Sequence, residues 1–484
     1  MDFLPLARDP IDHGRPTILP VFSDTGYDGG PFLGYLDRHP NVLYSATTDE
    51  AEVQEQDIEI HYQNWLFFGL LAELLGDLFD EDDFLVFDER LNANRITTGK
   101  MRKLLRRWKK VLPTLQEGDP EFSHFRACFE EKWRLLEHAD RFYPGHGPLL
   151  GLQIDVIAAV AEAFCNVLKT QYADFEPMQE GHPCYWFNAS YQARRSIIDE
   201  DIDRMMEVGG WCRSEAQRCI TRFGSVESWY YFRHLKLRED CSQHTECSAL
   251  QCFSGKTSNA AMVPRHVGPG CRCESFHLSS RKLTRIYKAG FLPCLEIKVN
   301  ASGPGEVGDM QVRVRPVPGN ADDTRYVALS HAWADGTGNG HANALPLCHL
   351  KAFHDRIVKF HETREVEPGP HVLLWVDTLC CPYKQGEGKR LALTRMKDIY
   401  RNAAAVHVWD RSLLDWECHE DYVTLGTKIM FSTWSTRLWT AQEAIFAGRD
   451  TEMTLVVHCQ DASELLTWLH KYNYHRVPIG STFN

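Results

Sequence analysis

The sequence has no uninterrupted apolar run of the roughly 20 residues that a membrane-spanning helix needs. Its two most apolar stretches, WLFFGLLAELLG and VIAAVAEAFCNVL, are broken by Glu73 and Glu162 and read as buried helices. A cationic region ahead of an apolar core is missing from the start, MDFLPLARDP, so no secretory signal is read there. A cytoplasmic protein with no membrane segment is the expectation. Excess positive charge is lacking too: at a net charge of −13 nothing would gather phosphates over long range. Binding to nucleic acid or to an anionic membrane is therefore not expected. Among the sixteen cysteines no two stand in a C-x-x-C knuckle, so no ready-made zinc motif is present.

What is there suffices for a globular chain. A hydrophobic fraction of 43% and an aromatic fraction of 11% supply real cores, and 484 residues allow about two to four domains. Residues 1–200 read as a mainly helical region. Trp65, Phe68, Leu71, Leu75 and Leu78 fall at helical spacing. Met101 to Leu112 joins a basic, solvated face to Leu104, Leu105 and Trp108, and Pro113 ends it.

Residues 201–300 change character. CSQHTECSALQC and RHVGPGCRC bring Cys241, His244, Cys247, Cys252, His266, Cys271 and Cys273 together in a segment poor in apolar residues. Cysteines in a chain without a signal are expected to be reduced, and clustered ones are metal candidates. Zinc needs four sulfur or imidazole donors and would hold such a segment together. The preferred set is Cys247, Cys252, His266 and one of Cys271 or Cys273, with His244 in reserve, in a structural role.

In residues 301–484 strands and helices alternate: strands at Tyr326 to Ser330, Val372 to Asp377, Ala404 to Trp409 and Met453 to His458, with helices at Leu350 to Glu362, Lys389 to Arg401, Trp439 to Ala447 and Ala462 to His470. That pattern predicts a parallel sheet with helices on both faces. Three tracts join apolar to polar residues: RYVALSHAWADGTGNG, LLWVDTLCCP and RLWTAQEAIFA. Each reads as an element delivering polar groups to the carboxyl rim of the sheet, where open sheets bind ligands. Ser330 and His331 are neighbours on a strand and so face opposite ways, which excludes a Ser–His nucleophilic pair. Ser330 is a candidate for phosphate or ribose contacts. Asp335 with Gly336, Gly338 and Gly340 suits backbone contacts with a phosphate. Asp377 could bond a ribose hydroxyl or Arg437, and Trp333, Trp375 and Trp439 could stack on a ring or sit in the core.

These three tracts, in this order, resemble the motifs of the fungal heterokaryon-incompatibility (HET) domain over residues 322–450. The GWC at Gly210 to Cys212, the Cys/His segment and FLPCLEI are similar to what precedes that domain in large fungal proteins. HET domains are in turn similar to the Toll/interleukin-receptor (TIR) fold, and the spacing of Trp439 and Glu443 matches the W-x-x-x-E of NAD-cleaving TIR domains. The resemblance implies a flavodoxin-like core, a part in non-self recognition and cell death, and NAD as substrate, with Glu443 catalytic. Ser330, His331, Trp333, Asp335, Asp377 and Trp439 would bind the nucleotide. A catalytically silent assembly module, working through self-association or other incompatibility proteins, is the alternative.

Overall fold

A computed structural model describes residues 4, 6, 10–11, 17–22, 26–40, 59–113, 119–142, 148–172, 195–223, 225–238, 244, 246–252, 262–299, 310–319, 326–363, 372–416, 422–437, 440, 443–444, 455–460 and 463–465. The chain forms two compact units, residues 1–252 and 253–482. The Cys/His-rich stretch, read from sequence as a region of its own, spans that boundary. Its first half belongs to the first unit and its second half to the second.

The first unit is mainly helical. Its long elements are Met101–Val111, Pro120–Phe142, Pro148–Gln171, Arg195–Val208, Arg213–Phe223 and Val226–His234. Tyr62–Gly69 is a π-helix continued by the α-helix Leu70–Leu75, and all eight of its residues are buried. The single stripe expected there is thus replaced by burial all round, because Phe32, Phe84 and Ile157 belong to the same core. In Met101–Val111 the amphipathic reading holds: Met101, Leu104, Leu105 and Trp108 are buried while Lys103, Arg106 and Lys110 are exposed. A short antiparallel hairpin, β1 (Leu85–Asp88) with β2 (Ala93–Ile96), is an addition that the sequence reading lacks. Gly151–Gln171 is long and apolar enough to cross a membrane by composition, but its most apolar part is mostly buried inside the protein. Asp155 on that helix is tied to Arg233, which suits a core helix of a globular unit.

The second unit is built on a seven-stranded mixed sheet. A small separate ladder pairs β3 (Ser275–His277) with β7 (Ala344–Pro346). The main sheet comprises β4 (Phe291–Val299), β5 (Met310–Pro318), β6 (Val327–His331), β8 (Val372–Trp375), β9 (Ala405–Trp409), β10 (Leu455–His458) and β11 (Ser463–Leu465), in the order β11-β10-β9-β6-β8-β4-β5. β8, β6, β9 and β10 run parallel to their neighbours in that group, while β4, β5 and β11 join antiparallel. Burial explains the parallel core: every residue of β6, β8, β9 and β10 is buried, as expected for strands covered on both faces. Edge strand β5, MQVRVRPVP, instead alternates over most of its length and carries two prolines.

Three expectations change. The sheet expected to be parallel is mixed, because β4, β5 and β11 join it antiparallel. Lys389 to Arg401 is two helices, Glu387–Thr394 and Met396–Arg401. The helix expected at Ala462 to His470 begins as a strand, since Ser463–Leu465 pairs antiparallel with β10; residues beyond 465 lie outside those described.

Candidate functional site

The strand order reverses direction at β6, whose neighbours β8 and β9 both follow it in sequence. At such a point the connections leave in opposite directions and open a crevice at the carboxyl ends of the strands. Ser330 and His331 end β6, Asp377 follows β8 by two residues, and Asp410 follows β9 directly.

Ser330 and His331 turn to opposite sides, as the strand demands, and each anchors its own network. On one side the Trp434 indole N–H donates to Ser330 Oγ at 2.6 Å, and the Ser330 hydroxyl donates to the Glu443 carboxylate. The described residues around it, Thr440, Glu443 and Ala444, are helical. Only 9% of Glu443 is exposed. Burial pushes its carboxyl up to about 8 against the pull of the Ser330 hydroxyl; the Asp377 charge adds to the rise, and Tyr400 and Arg437 oppose it. Glu443 is therefore largely protonated at neutral pH.

On the other side His331 Nδ1 meets Thr337 Oγ1 at 2.6 Å, and Nε2 meets Asp377 Oδ1 at 2.7 Å. A carboxylate only accepts, so Nε2 carries the proton. Asp377 Oδ2 accepts the Trp333 indole N–H at 2.8 Å. Burial works to raise the Asp377 carboxyl, but His331 and the Trp333 and Thr378 N–H groups outweigh it and hold the group below its ordinary range. Both His331 nitrogens and the Trp333 N–H are thus engaged within the protein. They tie the tip of β6 to the start of helix Asp377–Cys380.

The glycine-rich loop is likewise engaged inward. Asp335 N donates to Ala332 O, Gly336 N and Gly338 N to Trp333 O, and Gly340 N to Met262 O. These amides are spent within the protein, on the turn itself or on Met262, contrary to the expectation that the loop offers them to a phosphate. Glycine is needed at two of its positions: Gly336 has φ +92°, and a Cβ on Gly338 would lie 2.4 Å from the Trp333 Cβ. Burial and the nearby Asp410 charge push the Asp335 carboxyl up to about 8, while Arg411 N donates to it at 3.0 Å. Asp410 caps helix Arg411–Leu414 and accepts Trp434 N at 2.7 Å.

The remaining expectations fall as follows. Trp375 is fully buried in the sheet core, so it does not stack on a ligand. Asp377 binds His331 and Trp333, which answers the alternative that paired it with Arg437. Cys380 and Cys381 are pushed up to about 12 by burial, which rules out a ready thiolate at neutral pH. Trp439 lies outside the described residues.

The Cys/His residues form two groups, not one. Cys212, His244, Cys247 and Cys252 have donor atoms within 4.8 Å of one another, and so do His266, Cys271, Cys273 and Cys348. The set that mixed Cys247 and Cys252 with His266 is thereby divided, and each half gains a cysteine that the set left out, Cys212 and Cys348. Cys241 lies outside the described residues, and Glu246, two positions after His244, is exposed. Within the first group Cys247 Sγ to Cys252 Sγ is 3.7 Å, and His244 Nδ1 is 3.7 and 3.5 Å from the two sulfurs. In the second, His266 Nδ1 is 3.5 Å from Cys273 Sγ and 3.7 Å from Cys348 Sγ. A tetrahedron with Zn–S of about 2.3 Å and Zn–N of about 2.0 Å has S···S edges of about 3.8 Å and S···N edges of about 3.5 Å. The donor spacings fit such an ion, and both groups have the Cys₃His composition of structural sites.

Sequence reading misses Trp434, Thr337 and Asp410, which orient the rim, and Cys212 and Cys348 as metal donors. Cys212 stands in the GWC already set beside the Cys/His segment, whereas Cys348 is out of reach because it lies 75 positions from Cys273, at the start of helix Leu347–Thr363. The geometry defines a mixed α/β domain with a buried polar rim where three sequence tracts meet. Residues 326–418 match the family model described as Heterokaryon incompatibility protein (HET), and over that stretch the chain is similar to that family. No curated protein and no solved structure matches the chain.

Proposed function

We propose that the chain acts in fungal non-self recognition leading to cell death, and that its HET domain cleaves the nicotinamide–ribose bond of NAD with the Glu443 carboxylate as the catalytic group. The coarse part follows from the domain: a HET domain points to heterokaryon incompatibility. What supports the finer part is one observation, a sequestered carboxyl at the strand tip, with Glu443 9% exposed and bonded by Ser330. The strand order supports it too, since β8-β6-β9-β10 is the 2-1-3-4 order of flavodoxin-like sheets.

In the reaction the bond from ribose C1′ to the nicotinamide nitrogen breaks and its electron pair passes to the ring, cancelling the ring's positive charge. The sugar left behind is cationic, and water adds at C1′ and releases a proton. A carboxylate beside C1′ stabilises that cation as in glycoside cleavage. Glu443 is protonated at rest, so the cationic pyridinium would favour its ionisation on binding. The bonds from Ser330 and Trp434 make the described state a closed one. Self-association in the cytoplasm is the proposed trigger for opening, and zinc in the two Cys/His groups the proposed structural support.

The test is nicotinamide release from NAD by the full chain, alone and in a forced oligomer. Loss of the acid in Glu443→Gln is expected to lower the oligomer's rate by about 100-fold or more, the scale of losing one transition-state contact. Silence of the wild-type oligomer, or full activity in the variant, favours the assembly-module alternative.

A further inference from the structure

Between Met262 and Glu274 the chain has no helix or strand, and Met262 is its one fully buried residue. Burial of side chains therefore does little to fix it. Yet this segment lies directly on the glycine-rich rim loop. Arg265 N donates to Gly336 O at 2.8 Å, Gly340 N to Met262 O at 3.1 Å, and an Arg265 guanidinium N–H to Ala334 O at 3.0 Å. His349 Nε2 meets Arg265 O at 2.6 Å. The same segment supplies His266, Cys271 and Cys273, while the fourth donor, Cys348, comes from the HET domain itself, next to His349.

We infer that zinc held by His266, Cys271, Cys273 and Cys348 is a clamp that sets the position of the Trp333–Gly340 loop, so that metal occupancy controls the rim. Two backbone amides point at its sulfurs: Val267 N lies 3.4 Å from Cys348 Sγ and Cys348 N 3.3 Å from Cys273 Sγ. N–H groups aimed at sulfur stabilise thiolate and are the usual outer partners of a metal-bound cysteine. Without an ion the four donors would crowd one another with no cation between them. With one, the segment is closed into a short loop anchored at Cys348, and Arg265 is carried against Gly336.

The loop in turn holds Thr337, the Nδ1 partner of His331, so a shift of the clamp reaches the His331–Asp377 tie. The inference uses the proposed function only to say what the rim is for. Its readouts, metal content and amide exchange, need no NAD and fail or stand separately from that reading.

Metal analysis of the full chain is expected to find two zinc ions. Cys348→Ser should lose one and speed exchange of the residue 334–340 amides by about tenfold or more, toward values for a mobile loop. Cys348→His keeps a zinc donor and should restore both. Cys212→Ser should also lose one ion but leave the 334–340 amides as they were. For a variant that does not fold, chelation of the wild-type chain gives the same reading: protection lost at 334–340 and kept in β6. Two zinc ions in Cys348→Ser, unchanged exchange after its metal is lost, equal loosening in Cys212→Ser, or equal loss of protection in β6 on chelation would each overturn the clamp.

Discussion

Replacing Arg233 with methionine is expected to destabilise the helical unit by about 3–5 kcal/mol, the usual result of removing one partner from a buried ion pair. Arg233 donates to Asp155 at 2.7 Å and to Asp201 at 3.2 Å, and all three side chains are almost wholly buried. Burial alone would lower the guanidinium's affinity for its proton; Asp155 and Asp201 reverse that and raise it. The ring of Tyr230 lies 4.6 Å from the cation and adds to its hold. Methionine leaves two carboxylates in a dry interior with no cation, and that desolvation is the source of the loss. The triad itself is not the source of stability, because Coulomb attraction and desolvation nearly cancel. The triple change to Arg233→Met, Asp155→Leu and Asp201→Leu should therefore recover most of what the single change loses. Helical circular dichroism against denaturant reads both. An Arg233→Met chain as stable as wild type would contradict the burial described.

Asp377→Asn is expected to cost the second unit about 3 kcal/mol. The carboxylate accepts from the His331 imidazole, the Trp333 indole and the Thr378 backbone N–H. An asparagine offers one oxygen and turns an NH₂ toward a second donor, so one buried donor is orphaned at about 1–3 kcal/mol and the charge assistance of the other is lost. The pH dependence follows from the lowered pKa. Stability from Asp377 is present above the ordinary carboxylate range and is lost as pH falls through that range toward the folded-state value. The Asp377→Asn chain has no such group to titrate, so that acid-side loss should vanish from it. Thermal unfolding of both proteins over an acid series separates the two slopes, and identical slopes would show that Asp377 is not tied as described.

The parallel core is legible in the sequence because its strands are short, mainly apolar runs at whose carboxyl ends polar residues appear abruptly. VALSH and AVHVW each announce a buried strand with a functional edge. Opposite faces for Ser330 and His331 also follow from the pleat alone, and the two networks obey it. What does not follow is which groups satisfy one another. The glycine loop reads as a phosphate cradle in sequence, but its amides are consumed by Ala332, Trp333 and Met262. No local pattern predicts that. Trp434 carries no motif, yet its N–H sets the Ser330 hydroxyl. Cys348 lies in an ordinary amphipathic helix, and only the tertiary contact with His266 and Cys273 marks it as a donor. The last strand, Ser463–Leu465, reads as helix in sequence because side-chain spacing over so few residues fits both periods.

The pH profile of the proposed NAD cleavage tests most directly whether the Glu443 carboxylate is the reacting group. Its carboxyl is raised to about 8, so the ionised form grows as pH increases, and kcat/KM, which reports the free enzyme, should rise to an inflection near pH 8 and then level. The inflection in kcat should fall lower, because the bound pyridinium favours the anion. Glu443→Gln should lose both the rate and the rising limb. A profile flat from about pH 5 to 9 on the scale of ordinary carboxyl titration, or a rising limb that survives Glu443→Gln, would contradict the account.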